Sequence, residues 1–138
     1  MQPPVNYLAV LVAALSSMVL GYLWYGPLFG KLWMKLSGLK MGSGAKDKMG
    51  MLYGIATVGA FIEAYILSHV LVFASSYMNT SGLSAGLSSG FWMWLGFVAT
   101  VTLGNVLWYG HSWKLWGLVN AYYLTSLLIM GSILALWQ

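Results

Sequence analysis

A chain of 138 residues that is 60% hydrophobic, 6% charged and of mean hydropathy +0.79 is no soluble domain, since those carry about 25% charged residues. Six Lys against Asp47 and Glu63 leave a net charge of +4. The lysines border apolar segments, so they imply a phospholipid surface and not nucleic acid as partner. No Cys is present, which excludes disulfides, thiol catalysis and thiolate metal sites.

Four segments reach the roughly 20 apolar residues that a helix needs to cross a hydrocarbon core. They run from Val5 to Tyr25, Met51 to Phe73, Phe91 to Tyr109 and Leu115 to Trp137. None alternates like a strand, and only helices satisfy their own backbone in lipid. Pro3 and Pro4 precede the first helix. Pro27 closes it at Gly26-Pro27. Met-Gln-Pro-Pro lacks a basic n-region, and the apolar run after it is too long for a signal peptide, so an uncleaved membrane segment is expected.

Between the first and second helices, Leu28, Phe29, Leu32, Trp33 and Leu36 fall on one helical face and Lys31 and Lys35 on another. That pattern predicts a short amphipathic helix in the membrane interface, with the lysines on lipid headgroups and Trp33 at headgroup depth. Gly42-Ser43-Gly44 and Lys46-Asp47-Lys48 then predict a flexible, solvated turn. Lys31, Lys35, Lys40, Lys46 and Lys48 sit in this connection and Lys114 in the one between helices three and four. The positive-inside rule makes both lysine loops cytoplasmic and puts both termini outside.

Ala56, Ala60, Ala64 and Ser68 form a small-residue ridge on the second helix that favours close packing. Gly82, Gly86 and Gly90 make a similar ridge if the third helix begins near Gly82; otherwise Ser75 to Ser89 is an ordinary Ser/Gly-rich loop.

Leu23-Trp24-Tyr25-Gly26 returns letter for letter at Leu107-Trp108-Tyr109-Gly110, and each copy is followed by Lys-Leu-Trp. Ile62 to Ser75 aligns without gaps on Val119 to Ser132, matching Ala, Tyr, Leu, Leu and Ser. These matches predict one membrane domain of two repeats, about 5–76 and 88–138. Each is an apolar segment, a corner (Trp24, Tyr25, Gly26 and Pro27, or Trp108, Tyr109 and Gly110) and a second apolar segment. Helices one and three then run the same way, so the repeat is parallel and not inverted.

Glu63 is the one charge inside an expected span. Such residues usually face the interior and mark a function, because a bare charge in hydrocarbon costs several kcal/mol, of order 3 on insertion scales. Ala60 and Ala64 beside it point the same way. As a proton- or cation-binding group it suits transport; as a neutral carboxyl bonded to Tyr, Ser or Asn it is structural. Its repeat partner Asn120 is polar without titrating. Tyr65, Tyr122 and Tyr123 either line a cation-attracting cavity with Glu63 or hydrogen-bond between helices. His69 lies about 120° around and about 9 Å along the helix from Glu63, so a proton relay through both needs another helix. The plainer reading leaves His69 near the outer interface. His111 reads as a loop residue. Two His and two acids on separate segments make no metal pattern, and no catalytic triad or cofactor motif is visible, so no enzyme and no cofactor is expected.

Over Trp24 to Trp33 (WYGPLFGKLW) the chain resembles a bacterial membrane family catalogued as domain of unknown function 1761. The similarity extends to Asn6, the Trp-Tyr corner, four spans and a Gly-rich third helix. It implies a four-helix inner-membrane protein without an assigned activity. The residues themselves point to a homo-oligomeric transporter or channel built on Glu63, or to a non-catalytic accessory subunit of a larger membrane complex.

Overall fold

The computed structural model describes residues 5–37 and 45–137, with positions 45–49 described by backbone alone. Among these residues the chain is all helix. Helix α1 (Tyr7–Leu23) widens into a π-helical turn at Trp24–Leu28 and is followed by α2 (Gly30–Ser37). Next come α3 (Ala45–Met78) and α4 (Gly82–Met93). A second π-helical stretch at Trp94–Ala99 joins α4 to α5 (Thr100–Leu107), and α6 (Trp113–Leu136) ends the fold. Four stretches are long and apolar enough to cross a membrane: Tyr7–Leu28, Gly50–Met78, Gly82–Leu107 and Trp113–Leu136. The protein is a multi-pass membrane protein.

Local chemistry fixes the helix ends. The Asn6 side chain accepts from the Leu8 and Ala9 amides and so caps α1, and Ser112 caps α6 by accepting from the Leu115 amide. Asn79 and Gly82 both take positive φ, which turns the chain sharply between α3 and α4. Pro27 has no amide to continue the α1 ladder. The chain widens there, and the Phe29 amide reaches back to the Trp24 carbonyl at 2.9 Å.

Packing follows the logic of lipid, where apolar bulk gains nothing by hiding and close backbone approach does the work. Ala9, Ala13, Ala14 and Ser17 of α1 are buried, as are Ala60, Ala64 and Ser68 of α3 and Ala85, Gly86, Ser89 and Gly90 of α4. Helix α6 packs on α4, α1 and α3, while α3 also packs on α1 and α4. The α4–α6 crossing is the tightest: a Cβ on Gly86 or on Gly131 would overlap the other residue's carbonyl oxygen. A Cβ on Gly90 would come within 2.6 Å of the Leu127 carbonyl oxygen. Bulky apolar chains such as Val19, Val58, Ile62, Phe97 and Val101 stay on the outside.

Several expected boundaries differ. The third span begins at Gly82 and not Phe91, because Gly and Ser, weak helix formers, are held helical by the backbone contact with α6. Helix α3 runs through positions 46–48, where a turn was expected. The Gly42-Ser43-Gly44 segment, Lys40, Pro3 and Pro4 lie outside the described residues, as do the side chains of Lys46, Asp47 and Lys48. At 34 residues α3 is roughly 50 Å long, more than a core of about 30 Å requires. Its first turns project, and residues 50–56 are all exposed. Ala56 therefore takes no part in the close packing of Ala60, Ala64 and Ser68.

Candidate functional site

Helices α1 and α6 are tied at three levels. The Asn6 side-chain amide donates to the Trp137 carbonyl at 2.8 Å at one end. Midway, the Ser126 hydroxyl bonds the Ser17 hydroxyl at 3.0 Å, and the Tyr122 hydroxyl donates to the Ser17 carbonyl at 3.1 Å. At the other end the Trp24 indole donates to the Leu118 carbonyl at 3.3 Å. Around this last tie the first Trp-Tyr corner forms an aromatic cluster. Trp24 packs on Phe29, Tyr25 on Trp33 and Tyr122 with ring centroids 5.2 Å apart in both cases, and Tyr122 on Tyr123 at 5.5 Å. Gly26 and Pro27 at its edge are exposed.

The second corner behaves differently. Trp108 and Tyr109 are 82% and 75% exposed. Gly110 takes φ +74 and breaks the chain away from α5, where Pro27 in the first copy keeps a helical path. Lys114-Leu115-Trp116 then opens α6 directly, whereas Lys31-Leu32-Trp33 belongs to the separate α2. On α2 the Lys31 and Lys35 side chains are exposed and Trp33 is half-buried.

Asn120 is 2% exposed and fully engaged. Its amide nitrogen donates to the Thr102 hydroxyl and the Trp116 carbonyl, each at 3.0 Å, and its oxygen accepts from the Trp94 indole at 3.2 Å. The Thr102 hydroxyl also accepts the Trp116 indole at 3.2 Å and donates to the Val98 carbonyl at 2.6 Å. Positions 94 and 102 would diverge by about 80° on a regular helix. The wide turn between them advances less per residue, and both side chains meet one partner. Trp33, Asn105, His111 and Trp116 enclose a cavity of about 200 Å³ over this network. A composition reading marks Thr102 and Trp94 only as polar and aromatic residues in an apolar span; nothing in it pairs them with Asn120.

Glu63 does not face inward. Ala60 and Ala64 beside it are buried, yet Glu63 lies exposed on the flank of α3, in the middle of its span, on one stripe with Gly59 and Ile66. Among the described residues no side chain hydrogen-bonds its carboxyl. Tyr123 of α6 lies within its electrostatic reach. The Tyr65 and His69 rings pack at a tilt with centroids 4.4 Å apart, and the His69 ring bonds the Tyr65 carbonyl at 2.9 Å. The structure thus separates the candidates into three places. Asn120 closes a saturated buried network, Tyr122 belongs to the aromatic cluster, and Tyr65 with His69 forms a local pair. Glu63 is near Tyr123 and beside none of those three places' hydrogen bonds.

A second cavity, of about 210 Å³, opens where α3 leaves the bundle and is walled by Met18, Gly21, Tyr22, Tyr25, Tyr53, Ala56 and Tyr122. Gly21 gives the Tyr122 ring its place, since a Cβ there would stand 3.1 Å from the hydroxyl. Among the described residues no group of three or more His, Asp or Glu side chains is placed to hold a metal ion.

No curated protein and no solved structure matches the chain. One family does, over residues 8–135, nearly the whole length, taking in all but the outermost residue of the first and last spans, the first Trp-Tyr corner and the Asn120 network. The chain belongs to the protein family of unknown function DUF1761.

Proposed function

We propose that the protein is a small homo-oligomeric transporter or channel in which Glu63 binds a proton or cation at a subunit boundary. The observation that carries this reading is the position of Glu63: mid-span, exposed, with no hydrogen-bond partner among the described residues. An acid in hydrocarbon costs several kcal/mol, of order 3 on insertion scales, unless protonated, paired or watered. A second copy against this flank of α3 supplies the cover. The tight small-residue interior of one bundle favours a path between bundles over one through it.

The lysines support an arrangement with Lys31, Lys35 and Lys114 on the cytoplasmic side and both termini outside, in a bacterial inner membrane. In that frame α2 lies in the interface, Lys31 and Lys35 meet phospholipid headgroups, and the two halves are parallel repeats whose corners have diverged. No enzymatic role, cofactor or nucleic-acid partner belongs to this reading.

The test is flux. In liposomes the wild-type protein should give a pH- or cation-dependent flux that Glu63→Gln reduces at least tenfold. Equal flux from both proteins contradicts the reading. A second reading, a non-catalytic accessory subunit, is favoured by the saturated bonding around Asn120, which resembles a structural brace. It predicts fixed co-purification with foreign subunits and tolerance of Glu63→Gln.

A further inference from the structure

We infer that the cleft between α1, α3 and α6 is a binding site for an amphipathic organic cation, taken up from the bilayer side and handed toward Glu63. This deepens the transport reading and rests on it for the role of Glu63, but the cleft has its own geometry. Four tyrosines line it, Tyr22, Tyr25, Tyr53 and Tyr122, and among the described residues no positively charged side chain does. Aromatic faces and phenol oxygens attract a cation whose charge is spread over methyl groups and shed little hydration on binding. An anion finds no donor set there beyond the phenols, and the Tyr122 hydroxyl is already committed to the Ser17 carbonyl.

The rim tells how the ligand arrives. Tyr22 is 65% exposed near the end of the first span, and Tyr53 is 49% exposed on the turns of α3 that project from the bundle, so the cleft opens sideways between α1 and α3 at the edge of the core. The exposed Lys31 and Lys35 on α2 repel cations arriving from water; a cation already partitioned into the leaflet avoids them. The volume of about 210 Å³ admits one quaternary ammonium group with a short apolar arm.

A route leads inward. Ala56 lines the cleft, and Glu63 lies two turns further along the same side of α3, about 10 Å away along the axis. Facing α3, Tyr25 of the π-helical turn and Tyr122 and Tyr123 of α6 follow one another with ring centroids 5.2 and 5.5 Å apart, and Tyr123 lies within electrostatic reach of Glu63.

The experiment measures binding of benzyltrimethylammonium, and of its uncharged carbon isostere neopentylbenzene, to the full-length protein in nanodiscs by tryptophan fluorescence. The inference expects saturable binding of the cation, at least tenfold weaker binding of the isostere, and at least tenfold weaker cation binding in Tyr22→Leu/Tyr53→Leu. Both substituted positions are exposed, and circular dichroism with the melting temperature verifies that the variant is folded. Equal affinity for the two probes, or unchanged cation affinity in the folded double variant, overturns the inference. Glu63→Gln separates it from the reading on which it rests. That variant should still bind the cation, with flux lost. Flux that depends on Glu63 in a protein that binds no benzyltrimethylammonium leaves the transport reading standing and sinks the cation cleft.

Discussion

Asn120 and Glu63 occupy matching positions in the two aligned segments, and the fold treats them in opposite ways. Asn120 has both amide protons and its oxygen engaged by Trp94, Thr102 and Trp116, while Glu63 has no bond to any described side chain. An amide satisfied inside the bundle holds α4, α5 and α6 in register at the point where the π-helical stretch would otherwise leave them loose. Asn120→Ala removes three partners' contacts and leaves the Trp94 indole unpaired. We expect a loss of about 1–2 kcal/mol, in the range of interhelical hydrogen bonds in membranes, seen as a lower melting temperature of the purified protein in detergent. An unchanged melting temperature would mean that the network holds nothing together.

At the level of elements, the α4–α6 crossing sets the architecture. Gly86 and Gly131 meet backbone to backbone, with no room for a Cβ on either. Gly131→Leu therefore pries α4 from α6 and should cost at least about 2–3 kcal/mol by overpacking, whereas Gly59→Ala, with nothing within 4 Å of the added carbon, should be neutral. Comparing their melting temperatures checks both. The Gly82-Gly86-Gly90 spacing was legible in the sequence as a ridge, but not its target, because a spacing names one face of a contact only. The spans were legible from apolar length. The divergence of the two Trp-Tyr corners was not, since identical letters precede Pro27 in one copy and His111 in the other, and backbone freedom decides the outcome. Gly110 adopts a left-handed φ and exposes Trp108 and Tyr109, while Pro27 retains the helical path and packs Trp24 and Tyr25 on α6. Ala56 shows the same limit. It shares the stripe of Ala60 and Ala64, but α3 has left the bundle by that point, and periodicity carries no information on where two helices part.

Taken as a molecule, the chain brings its helices together through small and polar residues, with Leu67, Leu71, Leu127, Met130 and Leu134 filling between them, and leaves most of its large apolar side chains outward. On that outer surface Glu63 stands apart, an acid beside the exposed Ile62 and Ile66. The neighbouring alanines pointed it inward from sequence alone. The structure puts it on the flank because α3 turns the edge that carries Ala60, Ala64, Leu67, Ser68 and Leu71 to its neighbours. In the proposed reading a second copy covers that flank, and this can be probed directly because the chain contains no cysteine. Single cysteines at Gly59 and Ile66, which bracket Glu63 on its stripe, should form disulfide-linked homodimers under mild oxidant in native membranes, and a cysteine at Val101 on α5 should not. Failure to cross-link at both Gly59 and Ile66, or capture of a foreign polypeptide there in place of a second copy, would contradict a Glu63 site shared between subunits.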